Sequence, residues 1–376
     1  MTLTAPPENI PQLRPNTTLH YELFTEHSEP MPGVPLRADA WEKLCGKYSD
    51  KRVVAAIVSI ARFGARIGHQ GKREGQHIAR NLTTADELPE ILEQDLVEQD
   101  NHDRLTKYQS RTLRPPHFRA SPLGLVDKPG GKKRRIHHLS HPSGDSVNDG
   151  IPTMFEEITY ASVHDVVVII QQLGPETIMI KRDFADAFRQ VPLSPDDTPL
   201  LGFSFRDRFF AERFLPFGLR TAPYLFNLFA ELFHWILEQH LQVTVEGAQA
   251  RVVHYLDNFI VLLPLGYDWR PASDLFQQLA GELGLKIKEK KNEEGMVVNF
   301  GGVIFDTRRM VIRLPSEKKT KGLAIMAGLC PQSTPTITLY DLQQLTGFLN
   351  FVTLVVPIGR AFLRRLYNLQ QFFPHS

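Results

Sequence analysis

Three side chains stand where apolar segments end, and together they could hold divalent cations. The segment RVVHYLDNFIVLL, residues 251–263, has Asp257 and Asn258 between two apolar runs, and the segment TIMIKRD ends in Asp183. Carboxylate oxygens are ligands that Mg²⁺ prefers, and two carboxylates from separate strand ends could hold the two metal ions used in phosphoryl transfer. A simpler interpretation is structural, because Asp and Asn favour tight hairpin turns and Asp183 could merely end a strand.

The elements around these residues decide whether their side chains can meet. TIMIKRD is typical of a buried strand, and residues 251–263 are typical of a β-hairpin with Asp257 at its tip. A long helix is predicted behind Pro223, because apolar residues recur there at helical spacing. The order of strands, hairpins and helices predicts an α+β fold. Further predicted elements are hairpins in KPGGKKRRIHHL and FSFRDRFFAERF, a helix over 273–283, short strands within 296–314 and helices over 316–372.

Taken in order, six short motifs resemble those of reverse transcriptases, most closely those of DIRS-like retroelements that use a tyrosine recombinase. The resemblance covers roughly residues 116–376 and implies an RNA-directed DNA polymerase, a nucleotidyltransferase that acts on a template-primer duplex of RNA or DNA with dNTPs. It implies a right-hand architecture of fingers, a palm on an antiparallel sheet and a short thumb. The motifs are SPLGLVDKPGGKKRRIHHLSHP, KRDFADAFRQVPL, LPFGLRTAPYLFNLFAELF, HYLDNFIVLL, GLKIKEKKN and NFGGVIFD, and LTGFLNFVTLVVPIGRAFLRRLYNL is similar to the thumb region.

The resemblance implies a role for each matching residue. Asp183 and Asp257 would hold two Mg²⁺ ions, or Mn²⁺ in their place, with Asn258 beside them and the Phe184 carbonyl as a further ligand. Phe188 stands where the family places the ring that excludes a ribose 2′-hydroxyl, and it could also be a core aromatic. Nucleotide contacts are implied for Lys128, Arg134, Phe217, Gly218 and one of Lys290 and Lys291, and a primer grip for Phe300, Gly301 and Gly302.

The sequence departs from the family pattern at two points. Position 258 is Asn where the Tyr-x-Asp-Asp motif has a second Asp, and an amide brings no negative charge to two dications. Loss of a preorganised charge of this kind costs about 10²–10³ in rate, so the enzyme is expected to be impaired. RNase H and recombinase domains, which usually follow, do not fit after Ser376, which predicts a fragment of a polyprotein or a truncated gene.

Two other functions stay open on the sequence. One is a catalytically inactive remnant that binds nucleic acid through a basic cleft, and the other is an RNA-dependent RNA polymerase, against which Phe188 argues. Zinc binding by a histidine cluster is disfavoured because further ligands at suitable spacing are missing, and Trp235 is predicted to be a core residue. The basic residues of the cleft would be Lys128, Lys132, Lys133, Arg134 and Arg135, and the histidines are His137, His138 and His141.

Composition bounds the class and suggests the domain order. Hydrophobic residues make up 42% of the 376 residues and the net charge is +1, so the chain can fold around a core. Two cysteines, Cys45 and Cys330, are too few for a disulfide framework, and no apolar run is long enough to span a membrane. A soluble intracellular protein is therefore expected, in either the nucleus or the cytoplasm. The predicted units are a mobile Pro-rich arm (1–35), a helical N-terminal extension (36–115) in which Asn81 caps a helix, fingers and palm (116–314) and a thumb-like helical region (315–376).

Overall fold

A computed structural model describes residues 18–20, 23–24, 30–108, 114–128, 131, 133–245, 247, 249–329 and 337–373. Lys132, Cys330 and most of the predicted N-terminal arm lie outside these residues. The helices are α1 Ala38–Leu44, α2 Lys51–Phe63, α3 Thr83–Glu87, α4 Pro89–Asn101, α5 Val163–Leu173, α6 Ala222–Thr244, α7 Arg270–Leu283, α8 Ser316–Leu329, α9 Leu339–Val352 and α10 Arg360–Gln370. The strands are β1 His77–Ile78, β2 Leu105–Tyr108, β3 Arg119–Ala120, β4 Leu123–Asp127, β5 Lys133–His137, β6 Ile178–Asp183, β7 Gly202–Phe205, β8 Arg208–Glu212, β9 Arg251–Tyr255, β10 Asn258–Leu263, β11 Glu293–Gly295, β12 Val297–Phe300, β13 Val303–Asp306 and β14 Val311–Arg313.

The central palm sheet is antiparallel and has the strand order β11-β6-β10-β9. Side chains alternate between its two faces. Ile180, Val261 and Leu263 belong to the large core formed with α6 and α7, whereas Met179, Ile260 and Leu262 pack in a second core with α5 and β12 to β14. Both faces are therefore covered, which explains why β6 and β10 read as nearly continuous apolar runs.

The long helix α6 is the backbone of the main core. Its apolar residues repeat at helical spacing all along its length, and Pro223 stands in its first turn, where a missing N–H costs nothing. Phe226 and Phe233 of this helix reach Phe184, at ring-centroid distances of 6.3 and 5.2 Å. Phe184, the residue after Asp183, is thus held by aromatic packing against α6.

The segment predicted to be a helical extension also contributes strands, which corrects that part of the prediction. β2 pairs with β8 and β1 pairs with β3, so both join the five-stranded sheet of order β1-β3-β7-β8-β2. Asn81 does not cap a helix. Its side chain instead donates to the Ser204 carbonyl and accepts from the Leu123 amide, so it connects β7 with β4.

Apolar residues of the described part of the predicted mobile arm pack on the core, which corrects that expectation for them: Leu19, Leu23, Phe24 and Val34. Leu23 is fully buried, and the Tyr224 hydroxyl donates to the Thr18 carbonyl at 2.5 Å and accepts from the His20 amide. The bounds of the four predicted units stay a prediction.

Both predicted hairpins and the C-terminal helices are present. β4 pairs with β5, and β7 and β8 pair around Arg206 and Asp207, whose φ angles of 49° and 57° suit a tight hairpin. α7 begins at Arg270, three residues before the predicted start. Among the described residues, no helix has both the length and the apolar character needed to cross a membrane.

Candidate active site

The site lies at one end of the palm sheet, where β6 ends and β10 begins. Asp183, the last residue of β6, pairs directly with Asn258, the first residue of β10. Directly opposed residues of an antiparallel pair point to the same face. Leu256 and Asp257 form the two-residue turn that joins β9 to β10, and Leu256 takes the left-handed conformation, with φ 52°. The hairpin predicted from RVVHYLDNFIVLL is confirmed, with Asp257 at its tip.

The Asp183 carboxylate is buried without a hydrogen-bond donor among the described residues. Only 1% of the residue is exposed, and both carboxylate oxygens lack a hydrogen-bond partner. Its nearest cation is the Lys291 ammonium, with Nζ 3.0 Å from Oδ2. Because burying a carboxylate that accepts no hydrogen bond is costly, and Lys291 compensates it only by one ion pair, this carboxylate is suited to bind a cation.

Asp257 carries the electrostatic signature of a second carboxylate in the same site. Burial raises the pKa of Asp257, and the charge of Asp183 raises it further, while Lys291 opposes both effects. The Asn258 amide nitrogen lies 3.5 Å from Asp257 Oδ1. Two carboxylates that repel each other fit a site for divalent cations, whose charge would remove the repulsion.

The backbone around Asp183 is locked by the segment that carries the lysines. The Lys288 amide donates to the Asp183 carbonyl at 2.7 Å, and the Ala185 amide donates to the Lys286 carbonyl. Phe184 is buried and donates its amide to the Asp257 carbonyl at 3.1 Å. Phe184 also forms an isolated antiparallel bridge with Ile287, and the two hydrogen bonds of this bridge use the Asp183 carbonyl and the Ala185 amide. The Phe184 carbonyl is not used in this bridge, so its predicted role as a metal ligand stays a prediction.

A line of aromatic rings and one arginine extends from this site toward the fingers. Phe188 contacts Phe217 at a centroid distance of 5.2 Å and Phe226 at 6.0 Å. The guanidinium of Arg134 lies over the Phe217 ring, 5.9 Å from its centroid. Phe188 is half-buried and Phe217 is 45% exposed, so one ring is fixed by the core and the other is open to a ligand. Lys128 is exposed beyond the end of β4.

The loop before α6 is held close to the fingers. Gly218 has a φ of 92°, which favours glycine, and a Cβ there would lie 3.2 Å from the His137 carbonyl oxygen. The Asn148 side chain donates to the Gly218 carbonyl at 2.8 Å and accepts from the Arg220 amide at 2.9 Å. Asn148, which sequence reasoning missed, therefore clamps this loop.

The predicted primer-grip residues form the turn between β12 and β13. Phe300 is buried, and Gly301 and Gly302 have φ angles of 58° and 78°. A Cβ on Gly302 would lie 2.3 Å from Lys318 Nζ, and that ammonium lies 3.7 Å from the Phe351 ring centroid. The turn is thus in contact with α8 and α9 of the thumb-like region.

One of the predicted basic contacts is wrong. Arg135 is buried in ion pairs with Asp95 at 2.5 Å and Glu212 at 3.1 Å, so it cannot face a nucleic acid. Lys133 is paired with Asp127 at 2.7 Å. Strand alternation explains the correction, because consecutive residues of β5 face opposite sides.

The histidines and Trp235 take structural positions. His137 is buried, its Nε2 lies 3.0 Å from the Gly202 carbonyl oxygen, and burial lowers its pKa. The rings of His138 and His141 contact each other, with centroids 5.7 Å apart. Among the described residues, no group of three or more His, Cys, Asp or Glu side chains has the geometry of a metal site. Trp235 packs partly buried against Tyr48, in agreement with a core role.

Two further residues near the site were not singled out from the sequence. Gln190 bridges the segments on either side of the site, because its side chain donates to the Ala185 and Lys286 carbonyls and accepts from the Lys286 amide. Glu212 is fully buried between Arg135 and Arg189. The sequence signal for Glu212 was an acidic residue directly after the apolar residues 209–211 of a predicted strand.

An antiparallel palm sheet with two carboxylates at one end, between fingers and thumb, defines the chain as a protein with the polymerase palm fold. A family model described as "Reverse transcriptase (RNA-dependent DNA polymerase)" matches residues 133–321, just over half of the chain. The chain belongs to this family. The enzyme class predicted from the motifs is confirmed at the level of the family.

Solved structures and a curated relative agree with this assignment. The structure of the foamy viral protease-reverse transcriptase dRH in complex with dsDNA is similar over 94% of this chain and 58% of that chain, with a TM-score of 0.56 and 19% identity. The foamy viral protease-reverse transcriptase in complex with an RNA/DNA hybrid is similar over 93% of this chain and 44% of that chain, with a TM-score of 0.55 and 16% identity. At these identities the likeness shows the fold alone, and it confirms the α+β right-hand polymerase prediction.

The genome polyprotein of Petunia vein clearing virus is 34% identical over 61 residues, which are 16% of this chain and 3% of the polyprotein. The chain thus spans a small part of this relative and about half of the solved chains.

Proposed function

We propose that this chain is the polymerase domain of a retroelement, similar to DIRS-like elements, and that it extends a primer on an RNA or DNA template with dNTPs. One observation carries the proposal. The buried Asp183 carboxylate, whose oxygens accept no hydrogen bond from described residues, lies beside the Asp257 turn, and burial and the charge of Asp183 raise the pKa of Asp257. Two carboxylates at one end of the sheet, with the Lys291 ammonium as the cation paired with Asp183 among the described residues, favour the binding of divalent cations.

The residues present fit a pair of Mg²⁺ ions, with Mn²⁺ as a substitute. Asp183 and Asp257 would hold them, with the Phe184 carbonyl as a further ligand. When bound, such ions would lower the pKa of the primer 3′-hydroxyl and neutralise charge on the triphosphate. The Lys291 ammonium, 3.0 Å from Asp183 Oδ2, provides a proton donor and positive charge at the same place.

The other residues would bind and orient the substrates. Arg134 and Lys128 would contact the triphosphate, and Phe188, fixed from behind by Phe226, would exclude a ribose 2′-hydroxyl. Gly218 would allow the loop before α6 to approach the base pair, and the turn of Gly301 and Gly302 would support the primer strand. Duplexes of DNA or of RNA and DNA, as named for the foamy viral structures, are the proposed partners, together with RNase H and recombinase domains of the same element.

A second candidate is a polymerase that has lost its activity and retains nucleic-acid binding. Asn258 favours it, because Asn258 is directly opposite Asp183 and an amide there brings no charge to a site built for dications. The two candidates share the fold and differ only in whether the chemistry occurs.

Primer extension separates the two candidates. The natural chain, Asn258→Asp and Asp183→Ala would be assayed on a primed RNA template with dNTPs, in Mg²⁺ and in Mn²⁺, after thermal unfolding has shown that all three fold. Extension by the natural chain that is lost in Asp183→Ala supports a working polymerase. Extension by Asn258→Asp alone supports an inactive remnant. If all three bind duplex and none extends a primer, the polymerase proposal is wrong.

A further inference from the structure

Glu212 is the centre of a buried charge cluster that neither the motifs nor the proposed chemistry explains. It lies at the end of β8, and none of its surface is exposed. Its carboxylate accepts from Arg135 at 3.1 Å and, with two contacts of 2.5 and 3.2 Å, from Arg189. Burial opposes the charged form of Glu212, but the two arginines outweigh it and lower the pKa well below its usual range.

Each of these arginines directly follows a residue of the proposed nucleotide site. Arg135 follows Arg134 on β5, and Arg189 follows Phe188 in the short 3₁₀-helix Ala187–Gln190. Successive side chains of a strand point to opposite faces, and successive side chains of a 3₁₀-helix are about 120° apart. If Arg135 and Arg189 are held inward, Arg134 and Phe188 must therefore point away from the cluster.

Arg134 and Phe188 converge on the same ring. The Arg134 guanidinium lies 5.9 Å from the Phe217 centroid, and the Phe188 ring lies 5.2 Å from it. Two elements that are far apart in sequence, the fingers hairpin and the segment after Asp183, thus carry the same two-residue arrangement. In both, the first residue faces Phe217 and the second is bound by Glu212.

We propose that Glu212 is a positioning residue that sets the orientation of the triphosphate contact and of the sugar gate together. This inference rests on the proposed function, because it assigns Arg134 and Phe188 to the nucleotide. A bidentate arginine–carboxylate pair fixes direction as well as distance, and Asp95 holds the other side of Arg135 at 2.5 Å. Movement of Glu212 would shift the triphosphate contact and the gate at the same time.

A purely structural role for Glu212 makes a different prediction, and Asp197 provides the matched control. Asp197 is also fully buried, binds Arg73 at 2.6 Å and accepts from the Ile67 amide at 2.7 Å. Its partners belong to the N-terminal part of the chain and not to the nucleotide site. Glu212→Gln and Asp197→Asn both replace a buried carboxylate by an amide of the same shape.

The test measures nucleotide binding without chemistry. The full chain would be bound to a primer-template whose primer ends in a dideoxynucleotide, and the Kd of the matching dNTP and of the matching rNTP would be measured with Mg²⁺. Circular dichroism would confirm that each variant is folded at the assay temperature. Should Glu212→Gln not fold, Arg189→Lys would replace it, since it keeps the charge and loses the bidentate geometry.

Glu212→Gln should weaken dNTP binding about tenfold, the loss expected from one misplaced charge-assisted contact, and should reduce the ratio between dNTP and rNTP affinities. Asp197→Asn should change neither by more than about twofold. Equal effects of the two variants, or an unchanged discrimination ratio in Glu212→Gln, would overturn the inference while leaving the proposed function in place. No dNTP binding by the natural chain would overturn both.

Discussion

Asp183 and Asn258 are directly opposed across the antiparallel pair of β6 and β10, while Asp257 occupies the turn beside them. The one uncharged member of the expected site is therefore on the same sheet face as its most buried carboxylate. The charge at position 258 should therefore control how strongly the site binds divalent cations. Cation binding can be measured by thermal unfolding, without measuring catalysis.

Replacing Asn258 by the Asp that the Tyr-x-Asp-Asp motif has at this position should increase the stabilisation of the protein by Mg²⁺. Asn258→Asp adds a negative charge next to Asp183, so it should lower the thermal midpoint in metal-free buffer through like-charge repulsion. With 10 mM Mg²⁺, stabilisation of this variant should exceed that of the natural chain by about 1–2 kcal/mol, because tighter binding to the native state adds stability. Thermal unfolding with and without Mg²⁺ measures this, and Asp183→Asn is the control that should remove the response. Equal Mg²⁺ effects in all variants would contradict a metal site here.

Of the two neighbouring lysines, only Lys291 should affect the chemistry. Both lysines are exposed residues of the same short segment, but among the described residues it is the Lys291 ammonium that pairs with Asp183, with Nζ 3.0 Å from Oδ2. In whichever of the natural or Asn258→Asp backgrounds is active, Lys291→Gln should reduce the rate of single-nucleotide addition by roughly 10²-fold, as expected for loss of a proton donor. Lys290→Gln should change it by less than about fivefold. Rapid-quench kinetics at saturating dNTP would compare them, and equal losses would leave Lys291 without a specific role.

An added methyl group at Gly64, where the end of α2 packs against Leu193, should lower the free energy of unfolding more than one at Gly174, where it would meet open space. Gly64 and Gly174 both have positive φ angles, 81° and 91°, and both end a helix. A Cβ on Gly64 would lie 2.4 Å from the Leu193 carbonyl carbon, while a Cβ on Gly174 meets nothing within 4 Å. Both have extended ψ angles, 156° and −176°, in a region essentially restricted to glycine. Gly174→Ala should therefore cost about 1–3 kcal/mol from backbone strain, and Gly64→Ala at least about 2 kcal/mol more, because a backbone clash must be relieved. Urea unfolding measures both, and equal costs would show that the joint relaxes freely.

Acid should destabilise the chain through His254, which stacks on Phe259 with centroids 5.0 Å apart. Burial, and secondarily the charge of His234, hold the pKa of His254 well below its usual value. The unfolded chain therefore binds the extra proton first, near pH 6.5. The stability is present above that pH and decreases as the pH falls below it.

Urea unfolding at pH 7.5, 6.5 and 5.5 measures the effect. His254→Phe should reduce the pH dependence by up to about 1.4 kcal/mol per pH unit. His164→Gln, at an exposed position, should leave it unchanged. A natural chain whose stability does not change over this range would contradict the argument.

The sequence by itself determined the elements of the palm and the family. The two apolar runs around Asp257 and Asn258 predicted the hairpin with Asp257 at its tip, and the spacing of apolar residues predicted α6, because both patterns are local in the sequence. The ordered motifs also identified the family, which the match over residues 133–321 confirms. Predictions from local patterns were confirmed for elements whose apolar residues are regularly spaced.

Tertiary structure alone decided which charged groups are partners. Lys290 and Lys291 could not be separated by spacing, but only the Lys291 ammonium lies near Asp183. Arg135, predicted to face nucleic acid, is turned inward by Glu212, which is 77 residues away in the chain. Asn81, predicted to cap a helix, instead bonds the sheet at Leu123 and Ser204. Long-range ion pairs and hydrogen bonds depend on where the chain crosses itself, and a single sequence contains no local signal of those crossings.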